Sequence, residues 1–161
     1  MPYVQPPPLT DETVNGHPLL GPMLGPYAHA VLGEPGGLTQ FGAHIEVLPP
    51  ESRSSYRQWH EKEDELIYLL SGELVLVEEV ETPLMPGDLA LWPAGAPVGH
   101  CLENRSNADA TYLTVGSRQM QDVVHYPDAG LTMQITGRRH RVFRDASGTE
   151  VARYSDDDDN T

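Results

Sequence analysis

Between Leu38 and Ser117 the chain is divided into short apolar runs. These are LTQFGAHIEVL, LIYLLSGELVLVEEV, DLALWPA, HCLENRS and ATYLTVGS, each broken or closely followed by glycine, proline, asparagine or serine. A helix needs an apolar stripe of period 3.6 held for ten residues or more, and nowhere is that period strong. Strands need only four to eight residues between turn signals, which is the spacing observed. Fifteen glycines and fifteen prolines supply the punctuation. The expected fold class is therefore all-β, a sandwich or closed barrel. SGE at 71–73 reads as a hairpin turn between two apolar runs, and LMPGD at 84–88 as a proline–glycine turn into the next strand.

The 161 residues fit one domain, long enough to bury a core without staples. Residues 1–37, with QPPPL and GEPGG, read as an extended N-terminal arm. Residues 38–118 carry the barrel core. Residues 119–154 read as a C-terminal extension packing on it, with LTMQIT and RRHRVF as short strands and DASGTE as a turn. Residues 155–161, containing Asp156 to Asp159, read as a disordered acidic tail.

The formal net charge of −14 excludes two classes of partner. Nucleic-acid backbones and anionic membrane surfaces both require a basic face. Arg138, Arg139, Arg141, Arg144 and Arg153 cluster near the end, where they neutralise acidic neighbours. The single cysteine, Cys101, precludes an intramolecular disulfide. MPYVQPPPLT has neither the basic nor the apolar region of a signal peptide, and no apolar run approaches a membrane span, so a cytoplasmic location is expected.

The chemistry concentrates in YRQWHEKEDE, residues 56–65. On a strand Gln58 and His60 share a face, with Trp59 opposite. A turn through 61–64 presents Glu65 beside His60. His100, after the turn-rich LWPAGAPVG, is the best third donor. His60, Glu65 and His100 would form a 2-His-1-carboxylate set of the kind that suits non-haem iron. Gln58 would add a neutral amide oxygen or hydrogen-bond a bound water. Cys101 should face away from His100 and pack as a thiol. A histidine among carboxylates also reads as a solvated surface turn, and spacing alone leaves both readings open.

These residues resemble the cupin superfamily, small bacterial β-barrels with two motifs, G-x5-H-x-H-x3,4-E-x6-G and G-x5-P-x-G-x2-H-x3-N. Gln58 stands at the first histidine of the first motif, His60 at the second, Glu65 at the glutamate and Gly72 at the closing glycine. Gly87, Pro93, Gly95, His100 and Asn104 match the second motif. The departures are Gln58, Ser52 at the opening glycine, and four residues instead of two between Gly95 and His100. The resemblance implies a cupin (double-stranded β-helix, jelly-roll) barrel. It also implies a divalent transition metal (zinc, iron, manganese or nickel) on Gln58, His60, Glu65 and His100. QWH is similar to the Gln-x-His pair in the zinc site of type I phosphomannose isomerases, which implies that Gln58 can be a ligand and points towards a sugar phosphate. In those enzymes the glutamate lies much further along the chain.

Three functions are compatible with this reading. The first is a metal-dependent isomerase or lyase that polarises a small oxygenated substrate, with His44, Glu46, Tyr68 and Tyr112 as candidate acids and bases. These four lie in strand segments, and about half of them should face outward. The second is a non-haem iron dioxygenase. The third is a small-molecule-binding module without turnover. Apolar residues on both faces of LIYLL and LVLV require a second cover, so a homodimer is expected.

Overall fold

The computed structural model of the protein describes residues 3–12, 17–22, 24–137 and 139–155. The described residues form fourteen strands: β1 (Thr10–Glu12), β2 (Tyr27–Val31), β3 (Phe41–Leu48), β4 (Trp59–His60), β5 (Glu65–Ser71), β6 (Leu74–Val77), β7 (Glu81–Leu84), β8 (Leu89–Trp92), β9 (Cys101–Glu103), β10 (Ala110–Ser117), β11 (Gln121–Tyr126), β12 (Leu131–Thr136), β13 (His140–Arg144) and β14 (Glu150–Ser155). The acidic run from Asp156 to Asp159 lies outside the described residues. None of the helices among the described residues is long and apolar enough to cross a membrane.

The strands form three antiparallel sheets, ordered β1-β2-β3-β10-β5-β8, β14-β13-β12-β11-β4 and β7-β6-β9. The six-stranded sheet faces the three-stranded one across the main core. Leu48, Ile67, Leu69, Trp92 and Tyr112 come from the first; Leu74, Leu76, Leu84 and Leu102 come from the second. Each such side chain, fully buried, contributes roughly 1.5–3 kcal/mol. A second cluster of Val124, Tyr126 and Phe143 lies on the C-terminal sheet, with Leu20 and Tyr56 packed against it.

Two expectations change. The SGE segment is a corner rather than a hairpin. β5 pairs with β10 and β8, while β6 pairs with β7 and β9, so the chain leaves one sheet for the other at Gly72. Gly72 has φ of 80°, and a Cβ there would sit 2.5 Å from the Asp109 carbonyl oxygen, so only glycine makes the corner. The described N-terminal residues contribute strands to the main sheet. Their β2 is hydrogen-bonded to β3, with His29 opposite Glu46 and Val31 opposite His44. The LMPGD turn forms as its sequence suggests, with Gly87 at φ of 98° and the Asp88 N–H donating to the Met85 carbonyl at 2.9 Å.

Pairing fixes which residues face inward. Glu46 lies opposite Tyr112, and His44 opposite Thr114. Tyr112 in turn lies opposite Leu69, Thr114 opposite Ile67 and Gly116 opposite Glu65. Residues directly opposed across a ladder share a face. His44, Glu46, Glu65, Ile67, Leu69 and Tyr112 therefore all point to the interior, as does Trp92 opposite Glu65.

Candidate metal centre

Gln58 and His100 form an isolated antiparallel bridge, with the Gln58 N–H donating to the His100 carbonyl at 3.2 Å and the His100 N–H returning at 3.1 Å. The two side chains line one cavity of about 150 Å³ together with Glu65, Glu46 and Tyr112. His60, two residues on, is brought in from the mouth. Its Nε2 lies 3.6 Å from Glu65 Oε1, while His100 Nε2 lies 2.9 Å from Glu65 Oε2. A second cleft of about 270 Å³ meets the first at Glu46, Glu65 and Thr114, and is also lined by His44, His60 and Glu63.

The other nitrogen of each ring is already engaged. His60 Nδ1 lies 2.5 Å from Asp122 Oδ2, and His100 Nδ1 lies 3.0 Å from the Val98 carbonyl oxygen. A carbonyl only accepts, so His100 Nδ1 carries the proton. A neutral imidazole protonated at Nδ1 presents a lone pair at Nε2. Both Nε2 atoms face the oxygens of one carboxylate, Glu65, where they can either donate to it or, as lone pairs, join it in holding a cation. Two imidazoles, a carboxylate and an amide are donor types that divalent transition metals take; among the described residues, the three whose ligand atoms all lie within 4.8 Å of one another are His60, Glu63 and Asp122.

Asp122 was not foreseen. It is 1% exposed and sits on β11, which pairs with β4 so that Val124 lies opposite His60. Its Oδ1 accepts the Lys62 N–H at 2.9 Å. A buried carboxylate on the far nitrogen of a histidine fixes its tautomer and raises its basicity as a ligand. Glu63, read from sequence as a turn residue, joins this cluster at 3.8 Å from His60 Nδ1. His60, Glu63 and Asp122 have ligand atoms within 4.8 Å of one another and could by themselves hold a metal. Glu63 Oε1 accepts the Gln119 N–H at 2.7 Å, and burial pushes the Glu63 carboxyl above its ordinary range. Each carboxylate has one oxygen on a backbone N–H and the other towards His60, so this cluster can take a cation itself or serve to aim His60 at Glu65.

The motif residues around the centre have separate tasks. Gly95 has φ of 80° and donates its N–H to the His60 carbonyl at 2.9 Å, tying the two motifs together. Trp92 stacks on His100 with centroids 3.7 Å apart and planes 6° apart. Asn104 is buried, donating to the Leu48 and Ala108 carbonyls and accepting from the Ser106 N–H and hydroxyl, so its role is to hold the chain. The lengthened loop before His100 includes Val98, whose carbonyl holds the His100 ring. Cys101 packs as a thiol, as the sequence suggests. It is 2% exposed and lines the same cavity, and burial raises its thiol pKa, keeping it protonated.

The four acid–base candidates separate three to one. His44, Glu46 and Tyr112 face the interior, whereas Tyr68 lies on the outer face of β5 among exposed residues, away from the cavity. The Tyr112 hydroxyl donates to Glu46 Oε2 in a short hydrogen bond. Burial, reinforced by the Glu46 charge and hydrogen bond, pushes the Tyr112 pKa well up, so it holds its proton.

A family model for the cupin domain matches residues 44–116, a span that includes Gln58, His60, Glu65 and His100. No curated protein sequence matches the chain. Among solved structures, a sugar phosphate isomerase of the cupin superfamily from Silicibacter pomeroyi is 34% identical, with a TM-score of 0.74 over 93% of this chain and 90% of that one. A candidate sugar phosphate isomerase from Acidithiobacillus ferrooxidans is 28% identical, with a TM-score of 0.76 over 83% and 85%. A protein described as a predicted oxalate decarboxylase from Thermotoga maritima is 28% identical, with a TM-score of 0.51 over 59% of this chain and 83% of that one. The chain belongs to the cupin superfamily.

Proposed function

We propose that the protein is a metal-dependent isomerase of a small hydroxy-carbonyl compound of the sugar phosphate class. The observation that carries this reading is the convergence of His60 Nε2 and His100 Nε2 on Glu65, with each Nδ1 committed elsewhere. The similarity to two proteins described as sugar phosphate isomerases supports the substrate class.

Gln58, His60, Glu65 and His100 would hold the metal. When bound, a divalent metal supplies Lewis-acid polarisation of a carbonyl or hydroxyl oxygen. The chain's own residues move the proton. Glu46 lines both the inner cavity and the outer cleft, where its carboxylate takes a proton from the carbon beside the carbonyl and returns it to the former carbonyl carbon, while the hydroxyl proton passes to the former carbonyl oxygen. Tyr112, protonated throughout, donates to Glu46 and fixes its orientation. Ile67, Trp92 and Leu102 restrict water on the inner side. His44 stands in the outer cleft as a further hydrogen-bonding group.

The test is metal analysis of the purified protein followed by incubation with a panel of sugar phosphates in deuterated water. Isomerisation with deuterium entering at the carbon next to the carbonyl is expected. A metal-loaded protein that exchanges no substrate hydrogen would leave the chain as a binding module. A second reading, a non-haem iron dioxygenase, is favoured by the 2-His-1-carboxylate arrangement of His60, Glu65 and His100. Iron in the purified protein and oxygen consumption with a phenolic or thiol substrate would select it.

We also infer a homodimer. The outer face of β5 and the edge strand β8 exposes Tyr68, Leu70, Leu89 and Leu91. Leu66, Leu91, Pro93 and Val115 line a groove of about 460 Å³ on this side. An apolar edge of this kind needs cover.

A further inference from the structure

The outer cleft contains a cation that the proton-transfer chemistry does not use. Arg118 follows β10 and lines the cleft with His44, His60 and Glu65. Its backbone N–H donates to the Gln40 carbonyl at 3.0 Å, which fixes where the side chain starts. Its guanidinium reaches Glu34 at 3.3 Å, a partner whose side chain is 64% exposed. A solvated pair of that kind is worth little and is readily exchanged.

The cleft is shaped around this guanidinium. Gly42 on β3 lies opposite Gly116 on β10, so two adjacent positions lack side chains. Gly42 does not have a positive φ, so its backbone would accept any residue. A Cβ at Gly42 would lie 3.2 Å from Arg118 Nε, 3.5 Å from Arg118 Nη2 and 3.6 Å from His44 Nε2. The missing side chain leaves guanidinium and imidazole beside one open floor. Of the acidic groups lining the cleft, Glu46 accepts from Tyr112, Glu63 accepts from the Gln119 N–H, and Glu65 faces His60 and His100.

We propose that Arg118, with His44 beside it, is the subsite that takes the phosphate group of the substrate. The planar guanidinium fork matches phosphate oxygens in a way a point charge does not. The phosphate end would rest over Gly42 while the hydroxy-carbonyl end reaches Glu65. This inference rests on reading the site as acting on a sugar phosphate.

The probe is inorganic phosphate, titrated calorimetrically into metal-loaded and metal-free protein. Arg118→Gln is expected to weaken phosphate binding by about tenfold or more in both forms, the loss of one to two charge-assisted hydrogen bonds. Arg118→Lys should fall between, with the metal content unchanged. Equal affinity in wild type and Arg118→Gln, or no phosphate binding to the wild type, overturns the proposal. The two readings fail separately. Arg118-dependent phosphate binding without turnover of any sugar phosphate leaves the subsite standing and removes the isomerase. Turnover with an unchanged KM in Arg118→Gln does the reverse.

Discussion

His60 and Asp122 meet at 2.5 Å, Nδ1 to Oδ2, across the seam between β4 and β11. The carboxylate is buried and also holds the Lys62 N–H, so it cannot swing away to water without losing two partners. Asp122→Asn keeps an acceptor for the backbone but weakens the hold on the ring. It is expected to lower metal affinity by about 10- to 100-fold, read by competition with a chromogenic chelator. Unchanged affinity would show that the ring is held by its packing alone.

Gln58 stands where the first histidine of the family motif is found, with its backbone bridged to His100. Gln58→His offers imidazole in place of an amide oxygen and should tighten zinc binding, measured against the same chelator. His100→Ala should lose the metal altogether. If Gln58→His leaves affinity where it was, the glutamine lies outside the ligand set.

Tyr112 and Glu46 act as a unit. Tyr112→Phe removes the donor and leaves a carboxylate oxygen without it, costing about 1–3 kcal/mol of stability. The metal content should not change. Turnover should fall on the order of 10²- to 10⁴-fold, because the base loses its orientation. Tyr68→Phe, on the opposite face, should leave kcat where it is, and a large loss there would refute the inward and outward assignment.

Leu91 and Leu89 lie on the edge strand of the large sheet, with Leu91 59% exposed. Leu91→Arg should convert a dimer to a monomer in light scattering at micromolar concentration, with the circular dichroism unchanged. A wild-type protein that is already monomeric removes the basis for this interface.

His17 gives the stability a pH dependence of known sign. Its Nδ1 accepts the N–H groups of Leu19 and Leu20, each at 3.1 Å, and its Nε2 is buried among Tyr56, Tyr126 and Phe143. Burial lowers its pKa, so the folded chain resists the proton that the unfolded chain accepts. Its contribution is therefore complete above the unfolded value of about 6.5 and is lost as pH falls from there through the folded value. Urea midpoints of wild type and His17→Asn should converge as the pH is lowered across this range. A gap independent of pH would mean that His17 does not titrate on unfolding.

The strands were legible because they depend on local spacing, and the motif positions were read from the same spacing. Turn residues mark the ends of strands, and Gln58, His60, Glu65 and His100 lie within or beside them. The faces were partly legible. Glu65 fixes the parity of β5, so Ile67 and Leu69 go in and Tyr68 must go out. His44 and Glu46 share a parity as well, so they could not divide between the faces. Asp122 was not legible, because its role depends on a strand pairing across 62 residues that no motif marks. The corner at Gly72 was hidden for a similar reason, since a hairpin and a change of sheet use the same turn residues.

The β4–β11 seam also bears on how the protein could be shortened. A chain cut at residue 116, where the cupin match ends, would retain every candidate donor but lose the carboxylate that aims one of them. Coupling between two sites is reciprocal. If Asp122 strengthens the grip of His60 on a cation, that cation must in equal measure strengthen the docking of β11. Amide exchange along β11 and β12 would then slow on loading, and these strands would serve as a gauge of an ion held by His60 on the neighbouring β4.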